Sequence, residues 1–156
     1  MAELKARLRA ELVTAMKARE ALVVSTLRMA LTAVTTEEVA GKNARELTDD
    51  EVLKVLAKEA KKRDEAAEAF AAAGRSEKAE TERAEGEVLR RYLPAQLDDA
   101  ELAVIAEQAV AEVTEALGER PGQRQMGQVM KIASAKSAGR ADGGRVAAAV
   151  RALLQG

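Results

Sequence analysis

Apolar side chains recur along this chain at helical spacing. Leu4, Leu8, Leu12 and Ala15 fall at i, i+4, i+8 and i+11, one face of a first helix over about 2–19. Val23, Leu27, Ala30 and Val34 form the stripe of a second, over about 21–40, with Gly41 to end it. A break falls near Ala18–Glu20, although one long helix also fits the pattern. Thr48-Asp49-Asp50-Glu51 reads as a capping box. It opens a third helix to about Ala73, with Leu53, Leu56, Ala60, Ala67 and Phe70 inward and Gly74 after it. A fourth runs over 76–92. It is polar until Val88, Leu89 and Leu93, which predicts a solvated first half weakened by Gly86.

Pro94 pushes Leu93 toward extended geometry and marks a boundary. Beyond it, Asp98-Asp99-Ala100-Glu101 starts a fifth helix, with Leu102, Ile105, Ala109 and Val113 inward and Gly118 after it. A sixth covers about 123–138, with Met126, Val129, Met130 and Ala133 inward. A seventh covers about 142–154, with Val146, Ala149, Val150 and Leu153 inward. No segment alternates with the period of a strand. The expectation is an all-α protein: an N-terminal four-helix unit over 1–93 followed by a small three-helix unit over 95–156.

Two glycines in the last part raise a question. Gly139 with Asp142 reads as a helix stop followed by the next N-cap. Gly127 lies inside a helix, where glycine costs about 1 kcal/mol relative to alanine. Its simplest reading is close approach by the fifth or seventh helix; its sharper one is a backbone facing a partner. That second reading makes Met126, Gly127 and Met130 a candidate partner surface, since methionine adapts to varied partners.

Charge changes the picture more than composition does. The 156 residues carry a net charge of −1, but unevenly. Residues 1–94 hold 18 basic and 18 acidic side chains. Residues 95–119 hold seven acids and no Lys or Arg, and residues 120–156 hold seven bases and only Asp142 as an acid. Lys131, Lys136, Arg140 and Arg145 therefore form either a solvated surface partly neutralised by the acids of the fifth helix or a set of candidate contacts to a polyanion, with RNA the leading class. With one Phe, one Tyr and no Trp, base stacking is a poor fit; backbone and shape recognition of structured RNA remains. Lys54, Lys58, Lys61, Lys62 and Arg63 form a second basic stripe on the third helix. Glu51, Asp64, Glu65 and Glu68 lie at pairing distance along it, so surface pairing is expected there.

Composition removes several chemistries. There is no cysteine and no histidine, so thiolate or imidazole catalysis and thiolate or imidazole metal sites are excluded. Ser134 and Lys136 are two residues apart and point away from each other on a helix. No glycine-rich loop ends in Lys-Ser/Thr. The reading expects no catalytic residue, no metal and no cofactor. No leader-like apolar run opens the chain, and nowhere do about 18 apolar residues follow one another, so a soluble cytoplasmic protein is expected.

Four stretches are similar to a known family: "STLRMALTAV", "LAKEAKKRDEAAEAFAAAGR", "RYLPAQL" and "MGQVMKIASAKSAGRADGGRV". They resemble, in collinear order over almost the whole chain, the YqeY-like proteins of the GatB/YqeY family. The run from Met126 to Gly143 is the most specific. Glu20 stands where relatives often have aspartate as a helix cap. The resemblance implies a two-unit helical fold and a relationship to the C-terminal tail of the B subunit of tRNA-dependent amidotransferases. That tail is a helical appendage that helps hold tRNA. The resemblance therefore implies tRNA and amidotransferase subunits as partners; the alternative is a protein-interaction module that docks on an amidotransferase subunit or another translation protein through Met126, Gly127 and Met130, without RNA contact. The resemblance also carries a family-level label of carbon–nitrogen ligase activity with glutamine as amide donor.

Overall fold

A computed structural model describes residues 2–138 and 140–155. Its helices are α1 (Glu3–Ala18), α2 (Ala21–Glu38), α3 (Asp49–Ala72), α4 (Ser76–Arg90), α5 (Asp99–Leu117), α6 (Met126–Lys136) and α7 (Gly143–Leu154). A 3-10 turn, Gln123–Gln125, leads into α6, and no strand occurs among the described residues. The all-α expectation holds. Contacts divide the chain into two compact units, Met1–Leu93 and Pro94–Gly156.

In the first unit, α1 and α2 are separate helices. The chain turns at Arg19, whose φ of 58° is left-handed, and its amide bonds back to the carbonyls of Ala15 and Met16. Glu20 begins α2 without a side-chain cap bond. Thr48 caps α3 as its sequence predicts, with Thr48 Oγ1 accepting from the Glu51 amide at 3.2 Å. Leu8, Leu27, Val34, Val52, Leu56 and Leu89 are fully buried together. Each side chain of that size contributes about 1.5–3 kcal/mol when removed from water. A buried ion pair adds direction: Lys5 Nζ lies 2.6 Å from Glu38 Oε1, and Glu38 Oε2 accepts from the Leu47 amide at 3.2 Å. The bond from Lys5 outweighs burial and holds the Glu38 carboxyl below its ordinary range.

The first half of α4 is solvated as expected on most of its surface, with Ser76, Glu77, Lys78, Glu80, Thr81 and Arg83 exposed, but one line of it packs on α3. Ala79 is 0 % exposed, and Ala67 of α3 and Gly86 of α4 are also buried. Alanine and glycine give no strong hydropathy signal, yet they let two helices approach closely. Gly74, at φ 76°, makes the turn between α3 and α4. Arg63 then reaches across to Glu82 at 3.3 Å and Glu85 at 3.5 Å, and Arg90 pairs with Asp64.

The second unit packs α5, α6 and α7 around Leu102, Ala106, Ala109, Val110, Val113, Val129, Val146 and Val150. Asp98 and Glu101 form a capping box at the start of α5, and Gly118 ends it at φ 78°.

Candidate nucleic-acid interface

The candidate site is built on α6 and the corner that follows it. Gln125 Oε1 accepts from the Gly122 amide at 2.8 Å and sets the 3-10 entry to α6. Val129 and Ala133 face the core, with Met126 and Met130 half-buried beside them. The corner is tied down at both ends. The Arg140 amide donates to Ser137 O at 2.9 Å, and the Leu97 amide donates to Arg140 O at 2.7 Å. Asp142 caps α7, its Oδ1 accepting from the Gly144 amide at 3.0 Å. Gly139, expected as the helix stop, lies outside the described residues.

Gly127 does not serve close packing, and the crossing expected of α5 or α7 is absent. A Cβ built there has nothing within 4 Å, and the residue is exposed. Close approach belongs instead to Gly86, where an added Cβ would sit 3.6 Å from Arg63 Cβ. The partner surface drawn from Met126, Gly127 and Met130 is also divided. The two methionines lean on the core, while Gly127 faces solvent.

Among the described residues, two of the four candidate cations are paired with acids of α5 and two are not. Lys131 lies one turn beyond Gly127 on the same exposed face. Lys136 is five residues further, about 140° around the axis, and its Nζ lies 3.7 Å from Glu112 on α5. Arg145 Nη2 donates to Asp99 Oδ1 at 2.9 Å. Both pairs are solvent-exposed and contribute at most about 1 kcal/mol, so a competing anion can displace them. The side chains of Lys131 and Arg140 make no ion pair among the described residues.

Sequence reasoning passed over Arg124. Arg124, Gly127 and Lys131 stand at i, i+3 and i+7, and all three are exposed. Arg124 likewise makes no ion pair among the described residues. The result is an open strip about 11 Å long on the entry to α6, cationic at both ends with bare backbone between. The spacing was present in the sequence but was hidden by reading Gly127 as a packing residue. Arg120, by contrast, is used within the fold, donating to Leu153 O at 3.1 Å.

The pairing expected along α3 is only partly made. Lys62 reaches Glu59 at 3.2 Å. Glu51 is taken by Arg45, and Asp64 by Arg90. Lys54 and Lys58 are left exposed without ion pairs among the described residues.

Among the described residues, no helix is long and apolar enough to cross a membrane, and no group of three or more acidic side chains is placed to hold a metal ion. The family model described as Yqey-like protein matches residues 5–154, and the chain belongs to that family, the domain related to the C-terminal tail of the amidotransferase B subunit. A Schizosaccharomyces pombe protein described as uncharacterized protein C22F3.15 is 40 % identical over 92 residues, which is 58 % of this chain and 72 % of that protein.

Proposed function

We propose that this chain is a cytoplasmic accessory module of translation that holds tRNA by its backbone. Arg124 and Lys131 contact phosphates on either side of Gly127, and Arg140 adds a third contact from the corner. The open Gly127 carries the reading. The fold makes no use of its missing side chain, and glycine weakens a helix. A partner backbone lying against α6 does use it. The strip sits at the amino end of α6, where the helix dipole favours anions. Membership of a family related to an amidotransferase tail supports tRNA as the RNA and amidotransferase subunits as neighbours. Catalysis is no part of the proposal.

The test is a gel-shift titration with bulk tRNA, repeated with the double variants Arg124→Glu/Lys131→Glu and Lys136→Glu/Arg145→Glu. The first pair is expected to weaken binding at least about tenfold, since two phosphate contacts are lost and two repulsions gained. The second pair is expected to change it little. No binding at low salt, or the opposite ranking, overturns the proposal. Complexes that survive nuclease and contain only protein favour docking of a protein on the same Gly127 face.

A further inference from the structure

A cleft of about 290 Å³ opens on the surface of the N-terminal unit, lined by α1, the start of α2 and the turn that follows α4. Its floor is already neutralised. Arg7 Nε donates to Glu11 Oε1 at 3.0 Å, and the Tyr92 hydroxyl donates to the other Glu11 oxygen. The Arg7 guanidinium also lies 4.8 Å from the centroid of the Tyr92 ring. Burial pushes the Glu11 carboxyl up, but its bonds from Tyr92 and Arg7 outweigh that and hold it below the ordinary range. Burial and the bond to Glu11 together push the Tyr92 phenol up.

Two further charged groups line the cleft, and one of them, Arg91, adds its charge to the pull of Arg7 on Glu11. Glu20 and Arg91 are exposed, and neither side chain makes a hydrogen bond or ion pair among the described residues. Val23 and Ala15 supply an apolar wall beside the tyrosine ring. With Arg7 and Glu11 bonded to each other, the charges left at the rim are one of each sign, Glu20 and Arg91. A ligand of both signs complements that lining.

We propose that this cleft binds a small zwitterion of amino-acid size, its carboxylate on Arg91, its ammonium on Glu20 and its aliphatic part against Val23 and Tyr92. The cleft is small and open, so a dissociation constant on the order of 1 mM is expected. This proposal does not rest on the RNA reading, which concerns the other unit.

The test is an amide NMR titration of the full chain with L-leucine and with 6-aminohexanoate, zwitterions of short and long charge separation. Saturable shifts at Val23 and Tyr92 with either one are expected. N-acetyl-leucine and leucine amide, each lacking one charge, should bind at least about fivefold more weakly, as should Glu20→Gln and Arg91→Gln against the zwitterion. Both substituted positions are exposed, and unchanged thermal melting checks that the fold is kept. Three results each overturn the proposal: no saturable shift with either zwitterion, equal binding of the singly charged analogues, or undiminished binding by the two variants.

Discussion

Gly86 of α4 sits directly over Arg63 of α3, so close that a Cβ at Gly86 would lie 3.6 Å from Arg63 Cβ and 3.1 Å from Arg90 Nη1. Gly127 of α6 has no such neighbour within 4 Å. The two helical glycines therefore respond to substitution in opposite ways. Gly86→Leu forces the α3–α4 pair apart or displaces Arg90, and is expected to cost about 1–3 kcal/mol. Gly127→Ala only restores helix propensity and is expected to stabilise by about 0.5–1 kcal/mol. Urea unfolding followed by circular dichroism reads both.

The same contrast shows what the sequence made legible. Stripes such as Leu4-Leu8-Leu12 and Val23-Leu27-Ala30-Val34 announce their helices because period 3.6 is a local property. The capping box at Thr48 is local too. The burial of Ala79 is not, since an alanine carries the same local signal on a solvated face as against another alanine. The role of a helical glycine is likewise decided by what lies across from it. Reading Gly127 as a crossing point and Gly86 as a weakness reversed the two. That the acids of the fifth helix would neutralise some of these bases was legible from the charge distribution, and Lys136 with Glu112 and Arg145 with Asp99 bear it out; which bases they take depends on where α5 lies. Arg124 was within reach, at i−3 from Gly127.

The buried pair of Lys5 and Glu38 gives a second prediction. Glu38→Gln leaves the Lys5 ammonium without its counter-charge and is expected to cost about 3 kcal/mol, as is Lys5→Met, which strands the carboxylate. Replacing both with apolar residues, Lys5→Met with Glu38→Leu, should recover most of that loss. A double-mutant cycle in urea checks the coupling.

Two carboxyls give the pH dependence, with opposite signs. Glu38 is held below its ordinary 4.5 in the folded state, so its contribution is complete above that value and is lost as pH falls through the folded-state value. Glu85 is pushed up, by burial first and then by Glu82, against the pull of Arg63. Its ionisation therefore works against folding, and this penalty is relieved as pH falls. At pH 7, Glu85→Gln should be neutral or slightly stabilising, while Glu38→Gln destabilises and flattens the acid limb of the stability curve. Unfolding measured from pH 3 to pH 7 separates them.

Tyr92 anchors the end of α4 to α1 through its hydroxyl on Glu11 and its ring beneath Arg7. Tyr92→Phe keeps the ring and loses the bond, at an expected cost of about 1 kcal/mol. Arg7→Ala loses the stacked guanidinium and should cost about 0.5–1 kcal/mol. Thermal melts of both variants give the comparison.

The central claim is that tRNA phosphates lie along the strip formed by Arg124, in the turn before α6, and by Gly127 and Lys131 on α6. Its most direct test is the slope of log K against log salt concentration for bulk tRNA. With three phosphates met by Arg124, Lys131 and Arg140, the chain should give a slope of about −2 to −3. Arg124→Glu/Lys131→Glu should bring it to about −1 or abolish binding altogether. A slope near zero for the unaltered chain, or one unchanged by that double variant, would contradict the account.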